Sequence, residues 1–432
     1  MLTEIIKRNI AGEKIGIVSI CSSNHFVVEA AIQFAKRKSL PLLLEATSNQ
    51  VDQFGGYSGM TPADFRDYVF GIAEIFGFPK ENIILGGDHL GPNVWQNEPS
   101  ETAMKKAENQ IRAYVGAGFT KIHLDTSFRL ADDPGEKNKP LPPEIITERA
   151  ALLCRAAEDE FNKRGLTKKP LYVIGTDVPI PGGAQEKEDL HITTEEELTE
   201  TIELSKKVFG ELQLEDAWRR VVAVVTQPGV EFSDGEVIPY SREAAIPLKQ
   251  KVESCNSLAL EAHSTDYQTK TALSEMVRDH FAILKVGPWL TFAMRGALFS
   301  LGMIEDELFE GVKSVACSNL VKTAVNVMNE NPKHWIKHYH GAEAEILFSQ
   351  KYSFSDRIRY YWGNKKLHSA INLLLKNLTE NRIPLNVLSQ FMPEQYNAIR
   401  NGELENNPLE IIYHKIFQIL NIYYFATNEG EN

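Results

Sequence analysis

Two short stretches gather side chains suited to divalent-metal and proton-transfer chemistry. ILGGDHLGPNVW (84–95) sets Asp88 beside His89, and LALEAHSTD (258–266) sets Glu261 two residues before His263. Imidazole nitrogens mixed with carboxylate oxygens suit zinc, or manganese where oxygens dominate, and nickel accepts similar donors. Other apolar runs end the same way: Glu45 in PLLLEAT, Asp125 in KIHLDTS, Asp177 in LYVIGTDVP, Gln227 in RVVAVVTQPG and Lys285 in FAILKVGP. In KIHLDTS the two-residue alternation of a strand puts His123, Asp125 and Ser127 on one face and Ile122 and Leu124 on the other.

Burying such carboxylates without partners costs on the order of several kcal/mol each, so a cation, an ion-pair network or water must compensate them. We read His89 and His263 as metal ligands, with oxygen donors drawn from Asp88, Asp125, Asp177, Glu186 or Glu261. Asp88 is the candidate proton carrier, and Asp125 and Glu186 are its alternatives. Gly86 and Gly87 relax the pleat so that Asp88 and His89 both turn inward; a tight turn with Asp88 capping the next helix is the alternative. Ser23 and Asn49, with Asn24 and Gln53, follow the first two apolar runs and can bind substrate hydroxyls or form turns; Asp177 and Glu261 can also contact substrate. Lys285 either neutralises a carboxylate or, less favourably, forms a Schiff base.

The elements that must position these groups are legible. Eight apolar runs, KIGIVSICSS, PLLLEAT, NIILGGDH, KIHLDTS, LYVIGTDVP, RVVAVVTQPG, LALEAHSTD and FAILKVGP, alternate with segments of helical spacing. Near-continuous apolar strands buried on both faces predict an α/β fold, a (β/α)8 TIM barrel whose site lies at the carboxyl ends of the strands. Thr61 with Pro62, and Thr194 with Glu197, mark helix starts. The segment from Pro143 to Gly165 carries a stripe of Ile145, Leu152, Leu153, Ala156 and Phe161 and ends in glycine. The barrel is assigned to 1–303, and 304–432 to a helical extension packed on it.

Within that extension, HWIKHYHG (334–341) reads as a solvated helical face, with His334 and His338 at helical spacing beside Lys333 and Lys337. In YSFSDRIRYYW (352–362), Ser355 or Asp356 can cap a helix. Arg357 is a candidate lid residue meeting a sugar oxygen or phosphate, and Tyr360, Tyr361 and Trp362 provide docking surface.

Bulk composition narrows the class. Lys plus Arg number 46 against 58 Asp plus Glu, a formal charge of -12 without a basic block, which argues against nucleic acid as a partner. Cys21, Cys154, Cys255 and Cys317 form no CxxC pair, and no signal-like or membrane-spanning apolar run occurs, so a cytoplasmic protein is expected, and a homo-oligomer.

GGDHLGPNVW, HLDTS, GTDVPIPGGAQE and FSDRIRYYW together resemble the Z-type subunit family of class II tagatose-bisphosphate aldolases over essentially the whole chain. That resemblance implies a metal-dependent barrel, and either a stabilising partner of a catalytic aldolase subunit or an epimerase acting at C4 of ketohexoses or keto-acids. Catalytic class II aldolases carry a further metal-binding histidine after the sixth strand; here Gln227 stands there, as a neutral oxygen ligand. Where they hold phosphate on a glycine-rich turn, this chain reads HSTDYQT. The expected activity is therefore C4 epimerisation of tagatose, fructose or a phosphate of either, by cleavage and re-formation of the C3–C4 bond.

Overall fold

Each of the eight apolar runs forms a strand in the computed structural model of the chain, which describes residues 1–136, 139–176, 190–255 and 257–429. The strands are β1 (Ile17–Cys21), β2 (Leu42–Thr47), β3 (Ile83–Leu90), β4 (Lys121–Leu124), β5 (Leu171–Ile174), β6 (Val221–Thr226), β9 (Ala259–Ala262) and β10 (Phe281–Val286). A small antiparallel pair, β7 (Glu231–Phe232) and β8 (Val237–Ile238), lies between β6 and β9. The eight long strands pair in parallel and close on themselves in the order β1-β10-β9-β6-β5-β4-β3-β2. Every residue of β2, β3, β4, β6, β9 and β10 is buried, as expected of strands packed between helices and a filled interior.

Local signals account for the helices around this sheet. Thr61 and Thr194 each close a reciprocal capping box, with Asp64 and Glu197, satisfying amides that no helical carbonyl reaches. The helix Pro143–Arg164 stops at Gly165, whose φ of 60° is the left-handed conformation that ends helices cheaply in glycine. Its buried stripe runs through Ile146, Ala150, Leu153 and Ala157; Leu152 is 47% exposed, because the stripe follows a 3.6-residue period that passes beside it. The amino-terminal helix Leu2–Ile10 sets Leu2 and Ile6 against Ile17, Leu43 and Ile84, which stand near the starts of their strands. That end of the barrel is plugged with apolar groups, leaving the opposite end for polar ones.

The extension forms part of the outer wall. The helix Pro288–Phe309 runs through position 303, and the last helix, Pro408–Thr427, packs on it, on Lys270–Arg278 and on His25–Lys38. An isolated bridge between Ile15 and Asn428 returns the chain to the start of β1. Residues 334–341 do not form a solvated helical face. Only Pro332–His334 makes a 3₁₀ turn; Trp335 and Tyr339 are buried, and the ring of His334 stacks on Tyr360 at 4.8 Å. Asp356 stands at the N-cap position of the 3₁₀ turn Arg357–Tyr361, but its side chain makes no capping bond: its φ is 45°, and its buried carboxylate accepts from Arg295 Nε (3.0 Å) and Thr291 Oγ1 (2.7 Å). Among the described residues no helix is long and apolar enough to cross a membrane.

Candidate metal centre

The end of β3 is shaped by close approach. A Cβ on Gly86 would lie 2.6 Å from Cγ of Glu45, and one on Gly87 would lie 2.4 Å from Cδ1 of Leu90. These glycines make room for neighbours, and the residue that leaves the pleat is His89 itself, at φ 47°. The β3–β4 register slips between Gly87 and Leu90, as a bulge requires. Gly91 then passes so near β4 that a Cβ there would meet the carbonyl oxygen of Asp125 at 1.7 Å. Asp88 and His89, adjacent in sequence, thereby both come against β4.

Three imidazoles meet at this point. Ring centroids of His89 and His263 lie 4.8 Å apart, and His123 stands 5.3 Å from each. Each ring gives one nitrogen to a carboxylate: His89 Nδ1 to Asp125 Oδ2 (2.7 Å), His123 Nδ1 to Asp88 Oδ1 (2.9 Å) and His263 Nε2 to Glu261 Oε1 (3.1 Å). A carboxylate accepts only, so these contacts place a proton on the bonded nitrogen, and whenever the ring is neutral the other nitrogen carries the lone pair. The His89 amide also approaches His123 Nδ1, at 3.2 Å, but the shorter charge-assisted bond to Asp88 sets the tautomer. Among the described residues His123 Nε2 and His263 Nδ1 are buried without a hydrogen-bond partner, and His89 Nε2 lies 3.6 Å from Asp88 Oδ2.

Below the rings lies an ionic layer. Lys121, with no exposed side-chain surface, pairs with Glu45 (2.7 Å) and Glu261 (2.8 Å); Lys285 pairs with Asp88 (2.5 Å), Glu45 (3.0 Å) and Glu261 (3.4 Å). Burial alone would push the Lys285 ammonium down, yet Asp88 and the other acids raise it well above its ordinary value. Burial likewise pushes Asp88 up, but His89 and Lys285 hold its carboxyl well below the usual range. Burial lowers His263 to about 3, so it is neutral. Lys285 is thus a fixed ammonium, the state that neutralises carboxylates rather than the free amine a Schiff base needs.

These residues fit a divalent ion. Ligand atoms from Asp88, His123, Glu261 and His263 all lie within 4.8 Å of one another. Burial pushes the His89 imidazole down, but Asp88 and Asp125 raise it above its ordinary value; even counted with Lys121 and Lys285 it leaves the four carboxylates of Glu45, Asp88, Asp125 and Glu261 in excess, a negative charge that a cation can offset. His123 and Lys121 do not stand among the ligands and countercharges read from sequence. The alternation in KIHLDTS already aimed His123 inward; a lysine opening an apolar run was the signal for Lys121.

The other expected residues divide. Ser23, Asn49, Asp88, His89, His263 and Lys285 line a cavity of about 670 Å³ at the barrel mouth, walled by Arg359, Tyr360 and Trp362 of the extension. Asp125 is turned away from that space, holding His89 with one oxygen and accepting from Ser127 with the other. Gln227 spends its Oε1 on the amides of Gly229 (2.9 Å) and Val230 (3.1 Å). Asn24 caps its helix and Gln53 donates to the Lys106 carbonyl. Arg357 opens onto a neighbouring cavity, while Arg359, whose spacing from it in sequence already had the two projecting differently, faces the mouth. Asp177 and Glu186 lie outside the described residues.

A family model described as D-tagatose-1,6-bisphosphate aldolase subunit GatZ/KbaZ-like matches residues 2–428. Among solved structures, the chain is similar to a probable tagatose 6 phosphate kinase from Sinorhizobium meliloti 1021, with 42% identity, a TM-score of 0.86, and coverage of 95% of this chain and 100% of that one. More distant is the fructuronate-tagaturonate epimerase UxaE from Cohnella laeviribosi, with 10% identity, a TM-score of 0.48, and coverage of 95% and 81%. The YdjI aldolase from Escherichia coli K12 shows 12% identity, a TM-score of 0.40, and coverage of 87% and 97%.

Proposed function

Because the chain belongs to the D-tagatose-1,6-bisphosphate aldolase subunit GatZ/KbaZ-like family, we propose that it is a metal-dependent C4 epimerase of a ketohexose or its phosphate, working by reversible cleavage of C3–C4. The observation that carries this reading is the triple histidine cluster, each ring oriented by its own carboxylate, beside Asp88 and a fixed ammonium. His123 and His263 would be the nitrogen donors and Glu261 an oxygen donor, the residues that lie together with Asp88; His89, whose ring packs against both histidines, would be a further nitrogen donor, and Gln227, with its Oε1 on backbone amides, is left out of the set. A divalent ion held there would supply Lewis-acid polarisation of the substrate carbonyl, on the order of several kcal/mol. Zinc suits these donors best, and manganese or nickel remain in the test.

The side chains supply the rest. Asp88 takes the C4 hydroxyl proton as the C3–C4 bond breaks; C4 becomes an aldehyde, and the bond pair delocalises from C3 onto the C2 oxygen. A carboxylate held this low is a weak base. Movement of Lys285 from Asp88 to a substrate oxygen strengthens that base while offsetting the new negative charge. Rotation of the aldehyde and re-addition through its other face, with the proton returned from Asp88, inverts C4. Release of the aldehyde instead gives aldolase chemistry. Direct proton abstraction cannot serve, since the C4 hydrogen is not adjacent to the C2 carbonyl.

Incubation of the purified protein with tagatose, tagatose 6-phosphate and tagatose 1,6-bisphosphate, each with zinc, manganese or nickel, tests the proposal. Formation of the matching fructose species supports it, and none with any metal overturns it. ADP release in parallel samples with ATP checks the activity named for the S. meliloti protein. The family's description as an aldolase subunit favours a second reading, a stabilising partner that turns nothing over. Co-expression with a catalytic class II subunit, followed by pull-down and thermal shift, separates the two.

A further inference from the structure

The 3₁₀ turn Arg357–Tyr361 divides its guanidinium groups between two cavities. Arg359 lines the barrel mouth; Arg357 lines a second cavity of about 610 Å³. Asn49, Tyr57 and Tyr360 line both, so the cavities share a wall. Around the second cavity stand Lys333, His334 and His338, and its one acidic lining residue among those described is Asp52. That carboxylate already accepts the amides of Phe54 and Gly56.

Arg357 is 6% exposed, and no ion pair joins it or Lys333 to a carboxylate among the described residues. Its Nη2 donates to Nδ1 of His338 (3.0 Å), and among the described residues its buried Nε has no hydrogen-bond partner. Burial, then Arg357 and Arg359, push His338 down to about 4, so the imidazole accepts as a neutral ring and adds no charge. A buried cation without an ion pair is costly, and among the described residues no carboxylate lies within ion-pair distance of this one, Asp234 acting on it only from farther off. A guanidinium with a free Nε edge matches the oxygen spacing of a tetrahedral dianion, and an exposed lysine at the rim adds a mobile point charge.

We propose that this second cavity is an anion subsite that takes the phosphoryl group of a phosphorylated ketose, with Arg357 as its buried anchor and Lys333 as its flexible countercharge. The proposal rests on the reading of a ketose at the histidine cluster, because Asn49, Tyr57 and Tyr360 line both cavities and so make the second one the immediate neighbour of the barrel mouth. It also accounts for HSTDYQT in place of a glycine turn: the phosphate is held by the extension instead of by a loop of the barrel.

The test uses the full chain and inorganic phosphate, titrated by calorimetry and by ³¹P line broadening without ketose. The wild type should bind in the millimolar range or tighter, R357Q at least tenfold more weakly, and K333A a few-fold more weakly. The melting temperature of R357Q without phosphate should equal or exceed that of the wild type, since a purely structural arginine would lower it. If R357Q does not fold, R357K serves, with weakened rather than abolished binding. Absence of phosphate binding in the wild type, or equal binding in folded R357Q, overturns the subsite. Arginine-dependent phosphate binding without any ketose turnover upholds the subsite while removing the epimerase reading. Turnover of tagatose 6-phosphate with the same KM in R357Q as in wild type upholds the epimerase and removes the subsite.

Discussion

At the scale of single residues, the centre is defined by which nitrogen of each histidine is free. His123 contributes a lone pair only because Asp88 holds its Nδ1, and His89 only because Asp125 holds its own. Removing such an orienting carboxylate typically costs about 10–100-fold in metal affinity. We therefore expect D125N to bind zinc about 10–100-fold more weakly while folding normally, and H123A to lose more, both read by competition with a chromophoric chelator. Q227A should change zinc affinity by less than about twofold, because its Oε1 is committed to backbone amides. A Q227A protein that loses its metal would restore glutamine to the ligand set.

At the scale of elements, the β3–β4 junction converts neighbours in sequence into neighbours around one point. A regular pleat would send Asp88 and His89 to opposite faces. The bulge after Gly87, and the left-handed backbone of His89, undo that. Gly91 is the tightest constraint, since any side chain there meets the Asp125 carbonyl that β4 presents. G91A should destabilise the fold by about 3 kcal/mol in urea titration, and it should lower zinc stoichiometry, because the junction moves. A wild-type midpoint in G91A would show that the two strand ends are not so closely applied. The sequence showed that these glycines matter. Whose side chain they make room for depended on Glu45, Leu90 and Tyr114, which the chain order does not reveal.

At the scale of the whole molecule, the extension completes the barrel mouth instead of hanging from it. Arg295, on the helix that continues the barrel, pairs with Asp356, on the segment that walls the cavity, and both are buried. Leaving one partner of such a pair alone costs about 3–5 kcal/mol, whereas replacing both with apolar residues costs far less. D356N should therefore lower stability by about 3 kcal/mol or more, and a double R295M/D356L variant should recover most of it, by thermal denaturation. A bound ion acts at the same scale: metal at a hundred times its Kd adds about 2.7 kcal/mol, so chelator treatment should lower Tm measurably in the wild type and little in H123A.

The chain order was enough to specify eight strands, their apolar bodies, the polar groups at their ends and the capped helices between, because these depend on periodicities of two and 3.6 residues and on neighbours within a few positions. It was enough to mark Asp88, His89, Glu261, His263 and Lys285 as a polar constellation at one end of a barrel. Tertiary structure alone brought His123 into the cluster, drew the Gln227 oxygen onto its own turn, buried Lys121 between two glutamates and aimed Arg357 and Arg359 into different cavities. Local spacing could say that His123 points inward and that Arg357 and Arg359 project differently, but what each side chain meets turns on distances between elements far apart in the chain, set by barrel closure and by where the extension docks.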